Sequence, residues 1–96
     1  MLIEAIHPEI VQTIKTTIHT MLRDHDITGI DVEAREDFAG DDSIFIDVHY
    51  RLNDVPFDPR TSSDVLLEIS DKVYGLGDKR FPYIIHHLVD GQRVKT

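Results

Sequence analysis

The chain has 96 residues, 41% hydrophobic and 29% charged, with 18 acids against 10 lysines and arginines and a formal charge of −8. These are the proportions of one ordinary globular domain with a modest core, not of a disordered chain. The acidic balance and the scatter of the ten bases argue against nucleic acid, and the absence of cysteine excludes disulfides, thiolate metal sites and cysteine nucleophiles.

No apolar run approaches the roughly 18 residues of a membrane span. Met1 to Ile6 has neither the basic region nor the long apolar stretch of a signal peptide. The expectation is a single cytoplasmic domain over residues 1–96, with 91–96 a short final strand or a frayed end.

In chain order, Pro8 sits where a helix would begin, with Glu9 in its first turn. Ile10, Val11, Ile14, Ile18, Met21 and Leu22 recur at spacings of three and four, which predicts an amphipathic helix over about 8–25. Gly29 supplies the turn after it. Ile30, Val32 and Ala34 alternate with Asp31, Glu33 and Arg35, a first strand ending near Phe38. Residues 39–42 read as a hairpin turn.

The second strand carries the strictest alternation. Ile44, Ile46, Val48, Tyr50 and Leu52 share one face, and Phe45, Asp47, His49 and Arg51 the other. The apolar face calls for helices to cover it. The second face is richer than solvation requires. If the first two strands pair antiparallel, it gathers Asp31, Glu33, Arg35, Asp47, His49 and Arg51 on one surface.

A loop holding Pro56, Phe57 and Pro59 follows, with Phe57 expected to pin it to the core. Val65, Leu66, Ile69 and Val73 mark a second helix over about 62–75, capped by Thr61, Ser62 or Ser63 and stopped by Gly75 and Gly77. Phe81 to Val89 is a third strand, and Asp90-Gly91 a turn. The order α-β-β-α-β predicts an α+β two-layer sandwich, two helices on one face of a three-stranded, largely antiparallel sheet. The uncovered face suggests a homodimer that pairs through it.

No phosphate loop, nucleophile elbow or zinc-protease motif occurs, so the chain is expected not to be an enzyme. Six histidines are many for this length. His7 reads as a helix cap or as exposed, His19 as solvated, and His25 as a cation at the negative helix end, with metal binding beside Asp24 and Asp26 as the alternative. His49 lies on the polar sheet face beside Asp47. His86 and His87 point to opposite faces, so one of them shares that face. Imidazole mixed with carboxylate is a common zinc donor set. The competing reading makes these histidines polar residues of an interface.

The run Ile27-Thr28-Gly29-Ile30-Asp31-Val32-Glu33-Ala34-Arg35, then Ile44-Phe45-Ile46-Asp47-Val48-His49 and later Tyr83-Ile84-Ile85-His86, resembles the cytosolic C-terminal domain of cation diffusion facilitator transporters. The resemblance spans about residues 9–89. It implies a ferredoxin-related fold that dimerises and binds Zn²⁺ or a similar ion, with the second-strand and last-strand histidines as ligands. Those match His49 and His86. Where the family often has an Asp two residues after the last histidine, this chain has Leu88, and Asp90 two later.

The expected metal set is therefore His49 and His86 with an acid from Asp47 or Asp90. The alternatives are an interaction domain without metal that binds a protein partner, and a K-homology-like RNA binder. The last would need Lys79, Arg80, Arg93 and Lys95 to converge.

Overall fold

The computed structural model describes residues 4–56 and 58–89. Helix α1 runs Pro8–Met21. Proline at its first position loses no hydrogen bond, because that N–H has no helical partner. His7 caps the helix as expected: its Nδ1 accepts from the Glu9 backbone N–H at 3.1 Å. Ile10, Ile14, Thr17 and Ile18 are the buried stripe.

The helix ends at Met21 rather than near residue 25. Leu22 leaves helical geometry (φ −114°, ψ 32°) yet stays buried. The His25 N–H bonds back to the Leu22 carbonyl, and Asp26 already pairs with Arg51 in the sheet. Strand pairing thus takes over residues that helical periodicity alone would have extended, and His25 lies beyond the helix.

Strand β1 (Asp26–Glu36) pairs antiparallel with β2 (Asp42–Arg51). The register shifts between Ile27 and Gly29. This irregularity at Thr28 keeps both Ile27 and Ile30 toward the core, although they are an odd three positions apart. The strand ends before Phe38, which is fully exposed at the hairpin tip. Asp37 closes that turn by accepting from the N–H groups of Ala39 (2.9 Å) and Asp41 (3.0 Å). Those bonds, the one from Asp41 foremost, hold the Asp37 carboxyl below its usual range.

Gly40 adopts φ +84°, a conformation that costs side-chain-bearing residues strain. Gly40→Ala is expected to lower stability by about 1 kcal/mol, read as a shift of the urea midpoint. An unchanged midpoint would show that the turn relaxes freely.

Helix α2 (Pro59–Gly75) starts three residues earlier than expected. Asp58, not Thr61 to Ser63, is its cap, accepting from the Arg60 N–H at 2.9 Å. Pro59 fills the first turn, where it is tolerated. Strand β3 (Phe81–Val89) runs parallel to β2, and the sheet order is β1-β2-β3. The sheet is mixed rather than largely antiparallel, because α2 carries the chain back across the sheet before β3 begins.

The core joins Ile10, Ile14, Ile18 and Leu22 to Ile44, Ile46, Val48 and Tyr50 of the central strand and Val65, Ile69 and Val73 of α2. Leu52, expected on this face, lies past the end of β2 and is half exposed. Both helices cover one face, giving the two-layer α+β sandwich in the expected order. Phe57 lies outside the described residues. Among the described residues, no helix is long and apolar enough to cross a membrane.

Candidate functional site on the open sheet face

The other sheet face is built in rows that follow from the register. Glu33, Phe45 and Tyr83 form one row, Asp31, Asp47 and Ile85 the next, and Gly29, His49 and His87 a third. Because alternate residues share a face, each row sets three residues about one strand spacing apart.

The third row is the feature with chemistry. His49 and His87 stack with centroids 4.6 Å apart and planes 15° from parallel. Each imidazole holds a carboxylate of the neighbouring row. His49 Nε2 lies 3.2 Å from Asp31 Oδ2, and His87 Nε2 lies 2.8 Å from Asp47 Oδ1. Gly29 completes the row without a side chain. A Cβ there would lie 3.9 Å from the His49 ring, so the glycine leaves that flank open. Next to this row, Arg51 pairs with Asp26 at 3.0 Å.

The far end of the face is aromatic. Phe45 stacks on Tyr83 at 5.1 Å, Phe81 meets Tyr83 edge-on at 5.0 Å, and the Arg35 guanidinium lies 4.1 Å over the Phe45 ring. Tyr83 donates its hydroxyl to Asp37 at 3.0 Å, and this raises the phenol pKa above its usual value.

His86, expected beside His49, is on the opposite face. It pairs with Val48, a core residue, and is held beneath α2. Its Nδ1 lies 2.7 Å from the Tyr50 hydroxyl and its Nε2 lies 2.9 Å from Ser62 Oγ. The reason is parity along the strand: register sets His87, not His86, across from His49. Burial lowers the His86 pKa below 6.5, with His87 and His25 adding repulsion, and burial alone pushes the Tyr50 phenol up to about 12. Asp47 is where the alternation set it. Asp90 lies outside the described residues, so its expected role falls outside them too.

The residues missed as a set are Asp31 and His87. Asp31 was legible as a member of the polar face, but its bond to His49 is a diagonal contact, since Gly29 is the residue directly opposite His49. His87 was one of two open choices until the register of β3 against β2 fixed its face.

Among the described residues, no three or more His, Asp or Glu side chains converge on one point to hold a metal ion as they stand. The four side chains form two imidazole–carboxylate pairs instead. The nucleic-acid alternative called on Lys79, Arg80, Arg93 and Lys95. Arg80 is locked to Asp78 at 2.6 Å, and Arg93 and Lys95 lie outside the described residues.

No protein-family model and no curated protein matches the sequence. Among solved structures, the chain is similar to one of CzrB, described as a candidate zinc transporter and determined in its zinc form. That likeness covers 98% of this chain and 100% of the other, at 16% identity and a TM-score of 0.45. It is a fold-level resemblance.

Proposed function

We propose that the protein is a small non-catalytic binding module, working as a homodimer, whose open sheet face takes a divalent transition-metal cation such as Zn²⁺. The observation that carries this reading is the pair of stacked imidazoles His49 and His87, each with its own carboxylate. Imidazole and carboxylate together suit zinc and its neighbours rather than calcium or magnesium, which take oxygen alone. An imidazole held by a carboxylate is also the usual arrangement of a metal-ligating histidine, because the second group fixes the ring. His49 and His87 would hold the cation, and Asp31 and Asp47 would either join them or keep the rings aimed. The carboxylates now occupy both Nε2 atoms, so a cation would take the Nδ1 atoms of the rings, or take Nε2 after local rearrangement of these side chains. The same reading replaces His86 of the expected set with His87.

The test is calorimetric titration of Zn²⁺ into chelator-stripped protein at neutral pH. Micromolar or tighter binding is expected, lost in His49→Ala and in His87→Ala and kept in His86→Ala. No heat of binding, or binding indifferent to both open-face histidines, would sink the metal reading.

The aromatic end of the same face favours a second reading, an interaction domain that uses Phe45, Tyr83 and Arg35 to meet a protein partner without metal. Such rings over a guanidinium are the residue types that anchor interfaces. Phe45→Ala abolishing partner or self association while zinc titration shows nothing would favour it.

A further inference from the structure

We infer that the tip of the β1–β2 hairpin is a docking knob: Phe38 enters an apolar socket on a partner protein, and lysines or arginines rimming that socket face the acids beside the tip. The inference goes beyond the proposed function, which concerns the sheet face, and stands whether or not that face holds a cation.

Phe38 is 110% exposed, whereas the other large exposed apolar side chains among the described residues are 37–65% exposed. A ring of this kind can bury about 200 Å², and here it buries none against the fold. The turn does not ask for it. Hairpin tips ordinarily carry polar residues or glycine, and this one takes its shape from two neighbours of the ring. Asp37 accepts from the N–H groups of Ala39 and Asp41, and Gly40 supplies the left-handed conformation.

The tip is also fixed in place. The Asp37 N–H donates to the Asp41 carbonyl at 2.9 Å and the Gly40 N–H to the Asp37 carbonyl at 3.0 Å. The second Asp37 carboxylate oxygen accepts from the Tyr83 hydroxyl at 3.0 Å and so ties the tip to β3. An aromatic with two rotatable bonds, on backbone already ordered, loses little freedom when it binds. Buried aromatics of this sort are the residues that anchor interfaces.

The surrounding charge says what the socket carries. Glu36, Asp37, Asp41 and Asp42 flank Phe38, with no Lys or Arg between residues 36 and 42. Next to them, at the start of α1, lies a groove of about 670 Å³ whose lining includes Asp41, Asp42, Glu4 and Glu9. Its lysine and arginine are Lys79 and Arg80, and Arg80 is already held by Asp78 at 2.6 Å. A socket with a basic rim is drawn to both the tip and the groove, and an acidic one is repelled. Phosphate backbones and anionic lipid headgroups are repelled too, and one ring without a basic patch does not hold a protein on a membrane. A second copy, itself at net charge −8, is disfavoured on the same ground.

The probe is a photo-crosslinking benzophenone analogue of phenylalanine placed at position 38, with the same analogue at the exposed Leu67 of α2 as control. Irradiation in the source cells is expected to join position 38, and not position 67, to one protein. That protein is then purified and titrated with a chelator present, so that zinc plays no part. Phe38→Ala should weaken binding on the order of thirtyfold. The double variant Asp41→Asn, Asp42→Asn should weaken it about fivefold, and affinity should fall as salt rises. The urea midpoint of Phe38→Ala should stay where it is, so that lost binding is not lost folding. The proposal is overturned by no product specific to position 38, by a product with lipid, nucleic acid or a second copy, or by a purified partner indifferent to Phe38→Ala or to salt. A lowered midpoint in Phe38→Ala overturns it as well, because the ring would then serve the fold.

Discussion

Arg80→Ala is expected to destabilise the fold by about 3 kcal/mol, enough to unfold much of a domain of this size at moderate temperature. Arg80 and Asp78 are 13% and 10% exposed at their side chains, and two guanidinium nitrogens grip both carboxylate oxygens at 2.6–3.2 Å. The Arg80 guanidinium also donates to the Glu4 carbonyl and ties the start of the chain to the α2–β3 connector. Removing the arginine leaves a largely buried carboxylate whose remaining partner, among the described residues, is the backbone N–H of position 80, at 3.0 Å. That desolvation penalty, more than the lost attraction, is the source of the effect. Arg80 holds the Asp78 carboxyl below its ordinary 3.8. A folded-state value below the unfolded one means that the stabilisation is complete above 3.8 and is lost as pH falls through the folded value. Acid unfolding of the variant should therefore lack part of the wild type's steepness below pH 3.8. Urea melts at neutral pH and at pH 3 check both points. A neutral-pH loss under about 0.5 kcal/mol would mean that the pair behaves as an exposed one.

Most of the fold was legible because period-2 and period-3.6 patterns directly encode which face is buried. The strict alternation from Ile44 to Tyr50 is enough by itself to assign the central strand, its core face and its polar face. What periodicity does not encode is competition and direction. Residues 22–25 have helical spacing, yet pairing of Asp26 with Arg51 pulls the chain into β1. β3 could have run either way beside β2, and direction decides whether Ser62 of α2 sits over it. In the candidate site, His49 and Asp47 were readable for the same reason as the strand. Asp31 as the partner of His49 was not, since Gly29 is the residue directly opposite His49 and Asp31 reaches the ring on the diagonal. The choice between His86 and His87 was open because neighbours on a strand alternate faces, and only the register against His49 and Val48 resolves it. Arg80 read as part of a polar connector, whereas its side chain is largely shielded from solvent with Asp78, a tertiary fact with no local signature.

His86 should make the fold acid-sensitive well above the carboxylate range. It sits between the sheet and α2, its two nitrogens facing two hydroxyls, Tyr50 at 2.7 Å and Ser62 at 2.9 Å. A hydroxyl both donates and accepts, so either neutral tautomer is satisfied there. Burial, reinforced by the nearby His87 and His25, disfavours the cation and lowers the folded-state pKa below 6.5. The unfolded chain therefore takes up a proton first as pH drops. The stabilisation is complete above 6.5 and is lost as pH falls from there through the folded-state value. His86→Gln separates this from every other titration in the protein, because an amide can bridge the same two hydroxyls and carries no charge at any pH. The expected result is a wild type whose urea midpoint falls between pH 7.5 and pH 5.5 and a variant whose midpoint falls distinctly less. His86→Ala, which removes both hydrogen bonds and the ring beneath α2, should cost about 2 kcal/mol at pH 7.5. Equal pH dependence in wild type and His86→Gln would assign the acid sensitivity to other groups, and a neutral His86→Ala would show that the position under α2 tolerates loss of the bridge.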